Sequence, residues 1–344
     1  MSPYYPSLLF LALTAVICFL VSSSKIYWRT LNHKENHWIH SNNTHRNGGV
    51  IIFSVFLIGS YFALGTHWEI AAFISLSSLP IFLCGALEDY SFKIKPTYRI
   101  GAAFISSLIA AFLFGKVLDS VGIDAIDALL AFPIVAVCFT AVVCCTLCHS
   151  FNLIDGLNGL SSGIGVCILC LLLMITQGGT SPQLSSTIVV LASCLIGFWI
   201  VNVTTTKIFL GDSGAYFIGH AIAWLCVISY QNDKDITPFA FFLACIHPIS
   251  ETLTSILRRV YSGQSFARPD QDHLHHVTYR FMRRHLKSNN VNPNTLSGIA
   301  LLTISLAASI LAFFLRENTI ACIVVSALFM MGFALVNFRG RTLD

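Results

Sequence analysis

Apolar positions in this chain come in long blocks, separated by short polar stretches. Eleven blocks stand out, at about 5–23, 49–65, 68–86, 101–115, 130–149, 159–177, 185–204, 213–230, 236–256, 296–315 and 319–338. Most approach twenty residues, about the length a helix needs to cross the hydrocarbon core of a bilayer. The pattern predicts an all-α fold, a polytopic membrane bundle of about 11 transmembrane helices. The third, fourth and fifth blocks are the least regular, and a Pro falls early in the fifth. His247-Pro248 lies inside the ninth block, where the missing Pro N–H predicts a kink or break.

Composition strengthens this picture. Of 344 residues, 55% are apolar and 10% charged, against roughly 25% charged in soluble domains. Mean hydropathy is +0.74. A soluble enzyme and a nucleic-acid binder are both excluded, and the bilayer is the expected surrounding. The first block lacks a basic leader and a small-residue cleavage site, so an uncleaved span is expected. The whole chain, 1–344, reads as one integral-membrane domain. Most of the twelve cysteines sit in apolar blocks, where Cys acts as a small hydrophobe. Cys145-x-x-Cys148-His149 has redox or metal spacing but no second pair, which favours packing.

Charge then sets the expected orientation. All but three of the 20 Lys and Arg residues fall in one set of loops; the exceptions are Lys116, Lys234 and Arg316. The basic loops face the cytoplasm. This predicts an outside N-terminus, a cytoplasmic C-terminus, and cytoplasmic loops near 24–48, 87–100, 150–158, 205–212 and 257–295. On the other side Asp119, Asp124 and Asp127 read as a solvated acidic loop.

The candidate chemistry gathers on the cytoplasmic side. Asn152-Leu153-Ile154-Asp155-Gly156-Leu157-Asn158-Gly159 joins two apolar blocks. It could be an ordinary hairpin turn, but Asp155 and Asn152 also offer the hard oxygens that Mg²⁺ prefers. Glu88-Asp89 ends the third block, with Lys93, Lys95 and Arg99 close behind, a mixture suited to a metal and a phosphate together. Asp212 stands between Gly211 and Ser213-Gly214, either as a helix cap or beside a phosphate at a helix start. His273, His275 and His276 follow Arg268-Pro269-Asp270-Gln271-Asp272. No cysteine or spaced second His pair completes a zinc site, and such a block can steady a diphosphate. Arg46, in Thr44-His45-Arg46-Asn47-Gly48-Gly49, adds a cation before the second block. The economical chemistry is phosphoryl transfer between a nucleotide conjugate and a lipid.

These residues resemble the polyprenyl-phosphate N-acetylhexosamine-1-phosphate transferases, which include the undecaprenyl-phosphate GlcNAc-1-phosphate and phospho-MurNAc-pentapeptide transferases. Five blocks match in order over about 38–280: Thr44–Gly49, Gly85–Asp89, Asn152–Leu160, Phe209–Gly214 and Pro269–His276. The resemblance implies attack of a polyprenyl phosphate oxygen on the β-phosphate of a UDP-HexNAc, with UMP released. It implies Mg²⁺ as cofactor, Mn²⁺ being the alternative, held by Asn152 and Asp212. Asp89 and Glu88 would face the lipid phosphate, with Asp155 supporting nucleotide or metal. His273, His275 and His276 would contact the diphosphate or uridine. Lys95 and Arg99 are candidates for the lipid phosphate, and Arg46 and Asn158 for substrate contact. The family usually carries Asp-Asp where this chain has Glu88-Asp89, and often Asp at position 158. Neither departure touches a mechanism resting on Asp89, Asp155 and Asp212.

The expected protein is therefore a multi-pass enzyme of the bacterial inner membrane with its site toward the cytoplasm. It would take undecaprenyl phosphate and a UDP-HexNAc, with GlcNAc preferred, and assemble as a homodimer. It would begin a lipid-linked envelope glycan, with O antigen, capsule, teichoic acid and peptidoglycan all open. The alternatives are the pentapeptide transferase, a transporter of lipid-linked substrates, which would carry ionisable residues inside its spans, and an inactive scaffold.

Overall fold

The computed structural model describes residues 5–23, 45–176, 181–263, 273–286 and 292–340. Every apolar block folds as helix. In chain order the helices are α1 (Tyr5–Ser23), α2 (Gly48–Leu64), α3 (Glu69–Asp89), α4 (Pro96–Phe114), α5 (Asp124–Leu130), α6 (Pro133–Leu153), α7 (Leu160–Thr176), α8 (Pro182–Thr205), α9 (Gly211–Asn232), α10 (Pro238–Ala244), α11 (Ile246–Ser262), α12 (Leu274–His285), α13 (Pro293–Phe314) and α14 (Thr319–Gly340). Among the described residues the only extended pairing is an isolated bridge between His45 and Ile208.

Among the described residues seven helices, α3, α4, α6, α8, α9, α13 and α14, are long and apolar enough to cross a membrane. The chain is a polytopic helical membrane protein. α1, α2 and α7 are shorter apolar helices, and α10 and α11 together match the ninth block as a pair bent by 78°. The bend falls at Cys245, three residues before Pro248 rather than at it. Pro248 has no N–H to give the Ala244 carbonyl four residues back, so the ladder opens at the preceding turn. Two further helices were not expected. α5 forms in the acidic loop, where Asp127 accepts from the N–H groups of Val121 and Gly122. α12 follows the histidine block and carries basic residues in its last turn.

α9 is the centre of the bundle. Nearly every residue from Gly211 to Tyr230 is buried, and α2, α3, α4, α6, α7 and α8 all pack on it. A helix that is apolar all round must be enclosed on every side. Its start is approached very closely. A Cβ on Gly85 of α3 would lie 2.6 Å from the Ser213 nitrogen, and Gly211 takes a left-handed φ of 76° against the Asp89 carboxylate. Only glycine satisfies both positions without displacement. The two ends of the bundle differ in charge. Lys234 pairs with Asp119 and Lys116 donates to Asn232 at one end. The Glu88, Asn152 and Asp212 ends of α3, α6 and α9 meet at the other.

Candidate active site

Three local contacts bring this end together. First, the segment before α2 runs beside the segment before α9. The Lys207 carbonyl accepts from His45 N–H at 2.9 Å, and Phe209 N–H donates to the His45 carbonyl at 2.7 Å. Gly48 and Gly49 donate to Phe209 and Leu210 carbonyls at 3.0 and 2.7 Å. This ladder carries Arg46 to the site, with its Nη1 4.0 Å from Asp89 Oδ1.

Second, the C-terminal end of α3 closes the start of α9. Asp89 Oδ1 accepts from Asp212 N–H at 2.8 Å, and Oδ2 accepts from Ser213 N–H at 3.0 Å and its hydroxyl at 2.7 Å. These are donors that a helix start leaves unpartnered. A negative charge there also meets the positive end of the helix dipole. The Asp89 side chain is only 4% exposed. It is directed at α9 and not at an open face, as contact with a lipid phosphate would require. Glu88 and Arg99 are likewise engaged with each other: Arg99 Nη1 donates to Oε1 and Oε2 at 3.0 Å each. Lys95 is exposed ahead of α4 and forms no ion pair among the described residues.

Third, the end of α6 and the turn after it supply an amide and a carboxylate. Asn152 Nδ2 donates to Asp212 Oδ1 at 3.0 Å. Asp155 is half-buried on the turn, and burial pushes its carboxyl up to about 8; the Asp212 carboxylate and then Asp89 add to this, while Arg46 opposes it. The turn is held from outside. Gly159 N–H donates to Asn202 Oδ1 at 2.6 Å, and Trp199 donates to the Gly159 carbonyl at 3.1 Å. Asn158, expected to touch substrate, is 2% exposed. Its N–H donates to Asn294 Oδ1 at 2.7 Å and its Nδ2 faces Thr295 at 3.4 Å. α13 meets the Asn158 backbone N–H and side-chain Nδ2 while its buried Oδ1 finds no partner among the described residues, so position 158 ties the turn to the bundle.

The histidine block lies at the start of α12. A Cβ on Gly156 would fall 2.5 Å from His275 Nε2, so this imidazole rests on the bare Cα beside Asp155. The His273 and His275 rings are stacked at 5.3 Å, and His276 lies 4.2 Å from His275. Burial, then His275 and His273, push His276 down to about 3, which leaves it neutral. Sequence reasoning missed Glu251 of α11, which faces this block from the interior. The signal was present as an acid inside an apolar run. Arg268–Asp272 and residues 24–44 lie outside the described residues.

Asp212, Asn152, Asp155 and Asp89 thus meet, with Arg46 and His275 at their margin. The centre holds three carboxylates and the Asn152 amide; burial, and then the Asp212 carboxylate, raise the Asp155 carboxyl, and a cation would offset that charge. Among the described residues no three Asp, Glu, His or Cys side chains form a metal cage. A site with few protein oxygens fits Mg²⁺, which keeps water and substrate phosphate as its other ligands. An apolar cavity of about 380 Å³ opens between α6, α9, α10 and α11, lined from Leu118, Val121 and Pro238 toward the opposite end of the bundle to Thr146 and Leu253 on the side of the site. The α6 helix that lines it ends at the Asn152 turn.

Known proteins give an independent view. Residues 71–230 match glycosyl transferase family 4. The chain is 30% identical over 261 residues to a probable undecaprenyl-phosphate N-acetylglucosaminyl 1-phosphate transferase of Bacillus subtilis, covering 74% of this chain and 70% of the relative. It is 30% identical over 233 residues to an undecaprenyl-phosphate alpha-N-acetylglucosaminyl 1-phosphate transferase of Thermotoga maritima, covering 68% and 67%. A putative UDP-N-acetylglucosamine–dolichyl-phosphate N-acetylglucosaminephosphotransferase of Sulfolobus acidocaldarius is 28% identical over 287 residues, covering 78% and 84%.

Proposed function

The chain belongs to glycosyl transferase family 4, and from that membership we propose that it transfers N-acetylglucosamine 1-phosphate from UDP-GlcNAc to undecaprenyl phosphate. An acceptor phosphate oxygen bonds to the β-phosphorus of the donor. The bond from that phosphorus to the bridging oxygen breaks, and UMP leaves with the electron pair. The products are UMP and an undecaprenyl-diphosphate sugar. The reading rests on one observation above all: the Asn152 amide of α6, Asp212 of α9 and Asp155 of the turn after α6 converge beside Arg46 and His275.

Each residue has a distinct part. Asp212 and Asn152 would hold Mg²⁺, with Asp155 beside them. Bound there, the ion would offset phosphate charge and orient the diphosphate. Asp89 keeps the start of α9, and so Asp212, in position. Arg46 and His275 flank the acids where phosphate charge develops. Glu88 and Arg99 act as a pair that shapes the wall of the site. The apolar cavity along α6 and α11 suits an isoprenoid chain within the bundle. The family also sets aside the transporter reading.

The finer topology belongs to the same proposal. Eleven crossings put all but three basic residues on the side of the site, which the positive-inside rule assigns to the cytoplasm. In a bacterium this is the inner membrane, as one integral-membrane domain.

Purified protein with undecaprenyl phosphate and Mg²⁺ tests the reading. UDP-GlcNAc, UDP-GalNAc and UDP-MurNAc-pentapeptide are supplied separately and UMP is measured. UMP is expected with UDP-GlcNAc, and EDTA should abolish it. Release only with the pentapeptide donor would move the chain to peptidoglycan synthesis. EDTA-resistant release would remove Mg²⁺ from the account.

A further inference from the structure

Glu251 stands at the junction of three elements. It lies on α11, in the cytoplasm-directed half of the bent pair, and its side chain is 1% exposed. Oε2 accepts from Leu274 N–H at 3.2 Å and Oε1 from His275 N–H at 3.3 Å. These are N–H groups of the first turn of α12, which has no side-chain cap from its own His273. The same oxygens lie 3.4 Å from His273 Nδ1 and 3.7 Å from His275 Nδ1. A buried carboxylate is costly unless donors or positive charge meet it, and here two backbone N–H groups donate to it while two imidazoles lie within ion-pair distance.

The support on either side is firm. His247, one turn before Glu251, meets Ser305 of α13 at 2.7 Å. Thr252 donates to Ser150 of α6 at 2.7 Å. α11 is therefore fastened to both neighbours, and Glu251 cannot follow α12 if α12 shifts. On the far side of the imidazole, His275 Nε2 rests against Gly156, the residue after Asp155.

We propose that Glu251 is a positioning residue for the transfer reaction. It fixes the first turn of α12 and the Nδ1 sides of His273 and His275, so that His275 presents its other ring nitrogen to the Asp155 turn. The inference rests on the transferase reading above. A carboxylate behind an imidazole sets which nitrogen carries the proton and which way the ring faces. Misplacing such a ring by about 1 Å costs on the order of 100-fold in rate.

The test is a double-mutant cycle on UMP release from UDP-GlcNAc. Glu251→Gln keeps the shape but turns a donor toward the N–H groups and imidazoles. It should lower kcat about 10- to 100-fold and change KM for UDP-GlcNAc less than about threefold. His275→Ala should lose a similar factor. The double variant should be no more than about threefold slower than the slower single, because both changes remove one unit. Glu251→Asp, which keeps the charge, should recover part of kcat. Should Glu251→Gln fail to fold in a melting assay, Glu251→Asp carries the same cycle. Parental kcat in Glu251→Gln, or losses that multiply in the double variant, would overturn the positioning role. A parent that releases no UMP from any donor overturns the transferase reading itself, and the Glu251 role with it.

Discussion

Asp212→Asn should lower UMP release by about 100- to 1,000-fold, while the variant melts close to the parent. Asp212 accepts the Asn152 amide at 3.0 Å, and an Asn side chain can still offer an oxygen there. Its backbone N–H, which Asp89 accepts, is untouched. What disappears is a full negative charge in the oxygen cluster, and electrostatic groups of this kind carry losses of that size. The loss should appear with a much weaker Mg²⁺ affinity, read by titrating the cation against UMP release. Activity within tenfold of the parent at the same Mg²⁺ would sink the metal-site assignment. A pH dependence accompanies this. Burial and the Asp212 carboxylate push Asp155 up to about 8, so below that pH the cation-free protein holds a proton there. A cation favours the carboxylate and must displace that proton. Mg²⁺ affinity should therefore rise with pH and level off above about 8. Equal affinity on both sides of that pH would exclude Asp155 from the cation's surroundings.

Asp89→Asn should also lose transfer by 100-fold or more, but by another route. Three donors at the start of α9 converge on the two Asp89 oxygens. Asn has one acceptor oxygen, and its Nδ2 would confront a donor. A hydrogen bond to a charged group contributes about 1.5–3 kcal/mol, and a buried donor left unmet costs about 1–3 kcal/mol. A destabilisation of about 2–3 kcal/mol is expected, together with a shift of the α9 start that carries Asp212 out of place. Thermal melting and UMP release, measured on the same preparation, separate the two aspartates: Asp212→Asn loses rate alone, Asp89→Asn loses rate and stability. An Asp89→Asn protein that melts like the parent would show that the cap does not support α9.

Much of the fold was legible along the chain. Apolar runs long enough for a bilayer are a local property, and all eleven became helices or, at α10 and α11, a bent pair. The acidic and histidine motifs were legible too, because Gly and Asp at a helix start and a Gly-rich turn between apolar runs are local signals. The roles within those motifs were less so. Asp89 and Asp212 could be read as two site carboxylates, but not as a cap and the helix it closes. Glu88 and Arg99 could both be aimed at a phosphate until the fold paired them. Asn158 read as a substrate contact and turned out to face α13.

What the chain by itself determined is where helices begin and end, which residues are too apolar to meet water, and which polar residues stand at helix ends. Those outcomes depend on a turn or two of neighbours and on partition between water and bilayer. Only the tertiary structure decided which polar group answers which. Buried carboxylates and amides must find donors or cations, and those come from helices distant in sequence: Ser213 for Asp89, Asn294 for Asn158, and the first turn of α12 for Glu251.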